Sequence, residues 1–304
     1  MNHRVFITGA TGYLGHTIAL RLLRSGHAVF GLTRDPARAR MLADAGVTPV
    51  TGDFGDPETF LSELKNCDCV VHAALEAGPD ASRQDQRALE AIQAAVEDGR
   101  VRRVLYTSSL WVHGDTAGTI VDENSPLDPP EIAAWRAPHE EVVLDLLEHD
   151  VTAIIFRPGM VYGGYRGRFG GWFREAREKG TVTYPGGDQH WCTVHVDDVA
   201  DAYALALEDG PAGARFILTD ESRPTVHELA EAVAHVASAR AVRVAPDDMS
   251  ETFGPAGEAL MMDLQATAGR ARRELGWTPM HGSFVSEAER LFNDWRAGRE
   301  ARVA

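Results

Sequence analysis

Cysteine is scarce. Only Cys67, Cys69 and Cys192 occur in 304 residues. That number builds no disulfide framework, so a reducing, cytoplasmic setting is expected. Positive charge is also in deficit: 30 Lys and Arg face 45 Asp and Glu, a net charge of −15. Such a surface repels nucleic acid and anionic lipid, and neither is expected as a partner. No apolar run is long enough to span a bilayer. Met1-Asn2-His3-Arg4 lead straight into an apolar run, which leaves no room for a signal peptide. No repeat or low-complexity segment is present. The remaining composition, 44% hydrophobic and 25% charged, is that of a globular chain able to bury a large core.

The most informative stretch is Thr8-Gly9-Ala10-Thr11-Gly12-Tyr13-Leu14-Gly15. It follows Val5-Phe6-Ile7, an apolar run of strand type. It opens a segment with Leu14, Ile18, Leu22 and Leu23 on one helical face. Strand, glycine turn and helix in that order form a cradle for a pyrophosphate: glycine lets a ligand approach the backbone, and the helix start offers unpaired N–H groups. The plainer reading is a tight strand–helix turn with no ligand.

Strand and helix signals then alternate, which predicts a parallel sheet with helices on both faces. Strands are expected at Ala28–Leu32, Val47–Thr51, Cys69–His72, Val104–Thr107, Thr152–Phe156 and Phe216–Leu218. Asp35-Pro36 and Asp56-Pro57 each read as a helix start, with aspartate as cap and proline at the first helical position. Helices are expected near 81–98, 138–148, 169–179, 225–237, 268–275 and 284–295, and an Ala-rich one ending at Glu208. From Arg157 a stretch dense in Gly, Tyr, Arg, Phe and Trp reads as site-forming loop.

By these motifs the chain resembles the extended short-chain dehydrogenases/reductases, the sugar epimerase, dehydratase and reductase group. The resemblance covers nearly the whole chain. It rests on Thr8 to Gly15, Gly52-Asp53-Phe54, Val70-Val71-His72-Ala73-Ala74, Tyr106-Thr107-Ser108-Ser109, Arg157 to Gly163, Val194 to Ala200, and Arg272 to Trp277. It implies an α/β fold: a Rossmann-type doubly wound parallel sheet with a smaller C-terminal α/β substrate domain. The expected division is 1–160 plus about 193–219 for dinucleotide binding, and about 161–192 plus 220–304 for substrate. A homodimer is the family's habit. The cofactor would be held by Gly9, Thr11, Gly12, Tyr13, Leu14 and Gly15. Asp53 and Phe54 would flank the adenine, Ala73, Ala74 and Thr107 would line the crossing, and Pro158, Gly159 and Val161 would lie near the nicotinamide. Arg34 follows Thr33 where NAD-preferring members carry an acid, so NADP is expected, with NAD as the alternative. Arg34 facing solvent beside Asp35 is the plainer reading.

One departure bears on the chemistry. The family's Tyr-x-x-x-Lys pair should fall near residues 135 and 139, where this chain reads Trp135-Arg136-Ala137-Pro138-His139. No tyrosine occurs between Tyr106 and Tyr162. Indole does not titrate usefully, so Trp135 holds the tyrosine's place without its acid–base function. His139 is either an acid/base or an exposed helix residue beside Glu140 and Glu141. Ser109 stands at the family's catalytic serine. His113, in place of a Val-Tyr-Gly tyrosine, is a further candidate or a structural loop residue. The substrate pocket is expected from Trp111, Tyr162, Tyr165, Arg166, Arg168, His190 and Trp191, with the arginines holding a carboxylate or phosphate. Between His190 and Asp198 lie ligand types for zinc, but the resemblance implies a structural signature there and no metal.

These features predict an enzyme acting on a small carbonyl or hydroxyl compound by a non-standard route. The alternatives are a redox-neutral lyase, isomerase, dehydratase or cyclase on the same scaffold, and an NADP-sensing binding protein.

Overall fold

Val5, Phe6 and Ile7 are all fully buried, because both faces of their strand are covered. This is β1 (Arg4–Thr8) of a computed structural model that describes residues 2–76 and 78–303. The chain continues through α1 (Tyr13–Arg24), β2 (Ala28–Thr33), α2 (Pro36–Asp44), β3 (Thr48–Thr51), α3 (Leu61–Lys65), β4 (Cys69–His72), α4 (Ala81–Asp98), β5 (Arg103–Thr107), α5 (Arg136–Asp145) and β6 (Thr152–Pro158). Next come β7 (Met160–Tyr162), α6 (Gly167–Lys179), β8 (Thr181–Pro185), β9 (Thr193–His195), α7 (Val196–Asp209), β10 (Arg215–Leu218), α8 (Val226–Ala237) and β11 (Arg240–Val244). Short helices α9 (Met249–Phe253), α10 (Gly257–Met261) and α11 (Gly269–Glu274) precede α12 (Phe284–Val303).

Seven parallel strands form the central sheet in the order β10-β6-β5-β4-β1-β2-β3. From β1 the chain runs outward to β2 and β3, then returns to β4 on the other side of β1. That reversal opens a crevice at the carboxyl ends of β1 and β4. One face of the sheet packs Ile18 and Leu22 of α1 with Val199, Tyr203 and Leu207 of α7. The other packs Leu64 of α3, Leu89, Ile92 and Val96 of α4 and Val143 of α5. Helix α2 starts as its sequence requires: Asp35 accepts from the Ala37 N–H at 2.8 Å, and Pro36 occupies the first turn.

A second core lies beyond the sheet. It is aromatic, built from Phe169, Trp172, Phe173, Trp191, Phe284, Phe292 and Trp295. Two small parallel ladders, β7 with β9 and β8 with β11, carry α6, α8 and α12. Helix α8 opens on a reciprocal cap between Thr225 and Glu228.

Several local expectations change. Met160–Tyr162, read as loop, is β7, since it pairs with β9. Strands β8 and β11, not anticipated, pair in parallel with each other. Asp56-Pro57 starts a 3₁₀ turn, and α3 follows separately. Cys67 and Cys69 are buried free thiols, both pushed up to about 12 by burial. Among the described residues no helix is long and apolar enough to cross a membrane.

Candidate active site

The glycine turn joins β1 to α1. Gly9 has φ +73°, and a Cβ there would lie 2.6 Å from the Ala73 carbonyl oxygen, so neither conformation nor space admits a side chain. Gly15 packs as closely: a Cβ would stand 2.3 Å from the Gly9 carbonyl oxygen. Gly12 caps α1 without a side chain, and no acid occupies the first turn. The leading amides of α1 are therefore presented at the crevice. Tyr13 donates to the Gly163 carbonyl at 2.7 Å, and Arg166 donates to the Thr11 carbonyl at 2.8 Å. The loop before α6 is thereby held against the turn. Leu14 packs into the sheet core.

The other cofactor candidates gather on the same edge. Arg34 is exposed and divided between Asp53 at 3.4 Å and Glu76 at 3.3 Å. Phe54 meets His72 edge-on at 6.2 Å. Ala73 continues from β4, its N–H bonded to the Thr8 carbonyl, and Ala74 follows it against Gly9. The Thr107 hydroxyl pairs with the Tyr203 phenol at 2.6 Å. Pro158 ends β6, Gly159 donates to the Leu218 carbonyl, and Val161 packs against the sheet core.

The largest surprise is Asp85. This buried carboxylate of α4 accepts three hydrogen bonds: from Nε2 of His72 at 2.9 Å, from Nδ1 of His139 at 2.6 Å and from the Tyr106 phenol at 2.9 Å. Thr8 continues the chain at 2.6 Å from Nδ1 of His72. Burial raises the Asp85 carboxyl, but the His72 charge and the converging donors outweigh it and hold the group below the usual carboxylate range. His139 is thus neither exposed nor idle, and the alternative of a solvated helix residue is overturned. Its neighbour Glu140 is fully buried, clasping Arg157 at 2.9 and 2.5 Å and Arg215 at 3.3 Å.

Other candidates change role. His113 is buried, its Nε2 accepting from Arg157 at 3.2 Å; burial, then the Arg157 charge, pulls it down to about 4. It is a neutral brace whose Nε2 lone pair is occupied. Trp135 donates its indole N–H to the Ile132 carbonyl at 3.1 Å and lies edge-on to His139 at 5.1 Å. It is a wall of the His139 site with its one donor already used. Ser109 caps the turn after β5, accepting from the Trp111 N–H at 3.2 Å.

The expected substrate residues divide. Tyr162 is fully buried and donates to the Gly282 carbonyl, so it belongs to the core. His190 is held by Asp263 at 2.9 Å, Trp191 is buried against Trp172, and Trp111 packs between two cores. Tyr165 lies under the Arg166 guanidinium at 5.3 Å. Neither Arg166, which donates to the Thr11 carbonyl, nor Arg168, which lies over Trp191 and Phe253, has an ionic partner among the described residues. Of the zinc-type ligands between His190 and Asp198, His190 is held by Asp263 and the Cys192 thiol bonds to Ala266, whereas His195 and Asp197 come together with His281, their ligand atoms within 4.8 Å of one another and the two imidazoles stacked at 3.6 Å.

Sequence reasoning missed His72, Tyr106 and Asp85 as a unit. A signal existed, since Asp85 shares the buried face of α4 with Leu89, Ile92 and Val96.

The profile of the NAD dependent epimerase/dehydratase family matches residues 5–218. The chain belongs to that family, whose enzymes are built on the extended short-chain dehydrogenase/reductase fold. It is 30% identical to a 3-diazoavenalumate denitrifying reductase of Streptomyces sp, over 92% of this chain and 97% of that one. It is 31% identical to the UDP-glucose 4-epimerase of Mycolicibacterium smegmatis, over 91% and 93%. A 2-alkyl-3-oxoalkanoate reductase of Shewanella oneidensis is 28% identical over 66% of this chain and 56% of that one. The fold is also that of a Stenotrophomonas maltophila UDP-glucose-4-epimerase solved with NAD and formylated UDP-arabinopyranose: TM-score 0.83, 19% identity, 100% of both chains.

Proposed function

We propose that this chain is an NADP(H)-dependent reductase of a small carbonyl compound, with His139 as its proton donor. The observation that carries this reading is Nδ1 of His139 on Asp85 at 2.6 Å. The carboxylate fixes the tautomer that leaves Nε2 as the exchanging nitrogen, and no described residue engages Nε2. Asp85 also offsets the positive charge of the protonated ring.

The residues fit a dinucleotide. Uncapped amides of α1 face the crevice, and only glycine fits at Gly9. Gly12, Tyr13 and Leu14 would hold the pyrophosphate, and Arg34 would leave Glu76 to meet a 2′-phosphate. When bound, the cofactor supplies hydride. His139 gives its Nε2 proton to the carbonyl oxygen, and Ser109, whose cap bond occupies only a lone pair, donates its O–H to that oxygen. We assign cofactor binding to 1–160 plus about 193–219, and substrate binding to the remainder. The relative named as a 2-alkyl-3-oxoalkanoate reductase supports a reductase of carbonyl acids, and the 3-diazoavenalumate denitrifying reductase supports reductive chemistry in general.

The same dyad also suits a redox-neutral reaction, because a carboxylate-backed imidazole takes a proton α to a carbonyl. Deuterium transfer separates the two. Incubation with 4-deuterated NADPH and a panel of oxo acids should place deuterium on the product carbinol, and His139→Ala should abolish it. Product formation with no deuterium incorporated refutes the reductase reading and leaves the redox-neutral one.

A further inference from the structure

Arg136 opens α5 and is only 8% exposed. Its guanidinium lies over the Trp135 ring at 4.4 Å and donates to the Thr107 carbonyl at 3.2 Å. Its remaining N–H donors have no acceptor among the described residues. The buried carboxylates of α4 and α5 are engaged elsewhere. Glu140 clasps Arg157 and Arg215, and Asp85 receives His72, His139 and Tyr106. Burying a cation with donors unused is costly, which points to an acceptor that arrives from outside the chain.

The place of Arg136 in the fold ties that acceptor to the reaction. Thr107 ends β5, the neighbour of β4 in the sheet, so its carbonyl borders the crevice. Ser109 follows in the turn after β5. His139 comes three residues after Arg136 on α5, a spacing that puts both side chains on one face of the helix. The Trp135 ring joins them, lying under Arg136 and edge-on to His139. Guanidinium, imidazole and serine hydroxyl therefore belong to one end of the crevice.

We infer that Arg136 is a second catalytic residue, whose N–H groups hold the substrate oxygen as negative charge develops on it. In the reduction proposed above, the carbonyl carbon accepts hydride from NADPH and its π pair moves onto oxygen. Arg136 stabilises that oxyanion. The Nε2–H bond of His139 then breaks and its proton forms the O–H bond, leaving NADP+, the alcohol and a neutral imidazole. A cation already fixed in place suits this step, because nothing has to reorganise as the charge appears. The inference rests on the reductase reading only for the origin of the charge, since an enolate made by proton removal would present the same oxygen.

4-Nitrophenol tests it, because the phenolate mimics an oxyanion and reports its own ionisation by absorbance. Bound to the protein saturated with NADP, it should ionise about 1 pH unit lower than it does free in the same buffer. Arg136→Met should abolish that shift, Arg136→Lys should keep most of it, and His139→Gln should leave it in place. Arg136→Met should also lower kcat about 10²-fold with KM near wild type, on the oxo acid that the deuterium assay selects. The assignment is overturned if 4-nitrophenol fails to bind, if it ionises as it does when free, if the shift survives in Arg136→Met, or if His139→Gln or Arg136→Lys erases it. Should Arg136→Met fail to melt cooperatively, the wild-type, Arg136→Lys and His139→Gln titrations still decide. A phenol shift without deuterium transfer removes the reductase reading alone, whereas deuterium transfer without a phenol shift removes this inference alone.

Discussion

Asp85→Asn is the sharpest perturbation of the dyad. The three donors on Asp85 come from different elements: His72 from β4, His139 from α5 and Tyr106 from β5. An asparagine oxygen placed toward His139 and Tyr106 keeps both of those bonds. Its amide then faces His72, which accommodates by moving its proton to Nδ1, where the Thr8 hydroxyl at 2.6 Å accepts it. The fold therefore loses about 1 kcal/mol. The charge is lost completely. A carboxylate about 4 Å from an imidazolium is worth about 4 kcal/mol at an effective dielectric constant of about 20. If the ring is protonated along the reaction path, kcat falls by about 10³-fold. NADPH affinity and KM should stay near wild type, since Asp85 would touch neither ligand. Steady-state kinetics with a carbonyl substrate, beside a thermal melt and an NADPH titration, check all three. A kcat within about 3-fold of wild type, with the variant folded, refutes the reasoning.

Further predictions concern the supports of that site. Glu140→Gln leaves Arg157 buried without its counter-charge and should cost about 3–5 kcal/mol, read as a lowered denaturant midpoint. His113 and His195 are both pulled down to about 4, the first by burial and Arg157, the second by burial and the stacked His281. Their unfolded value is about 6.5, so their contribution is full above that pH and is lost as pH falls toward about 4; at about 3 kcal/mol each, melts across this window should fall steeply, and less so in His113→Gln. Arg34→Ala should weaken NADPH about 10-fold and leave NADH unchanged; equal loss of both removes the 2′-phosphate role. Gly12→Asp puts a carboxylate at the start of α1 and should abolish dinucleotide binding in a protein that still melts cooperatively.

Much of the architecture was legible because it is locally encoded. Gly9 and Gly15 read as glycine-only positions, and the contacts their Cβ atoms would make show why. Asp35-Pro36 marked a helix start that the chain adopts. Strands β8 and β11 were not legible, because the burial of Val182 and Tyr184 is set by α6 and α8, elements remote from any local pattern. The candidate site was half legible. His139 was singled out from its position, but its identity could not distinguish a solvated residue from a tethered one. His113 and Tyr162 looked equally chemical in sequence, yet one braces Arg157 and the other fills a core.

The order of apolar runs, caps and glycine turns determined a doubly wound parallel sheet with a dinucleotide-type cradle. These signals act within a few residues, where propensity and periodicity decide. Which ionisable groups meet was decided only in three dimensions. Asp85 and His139 stand 54 residues apart, and Thr8 and His72 stand 64 apart. Side chains on β4, α4, β5 and α5 converge because the sheet places those elements side by side. Hydrogen bonding and charge compensation depend on ångström distances between such elements, and no local pattern carries that information.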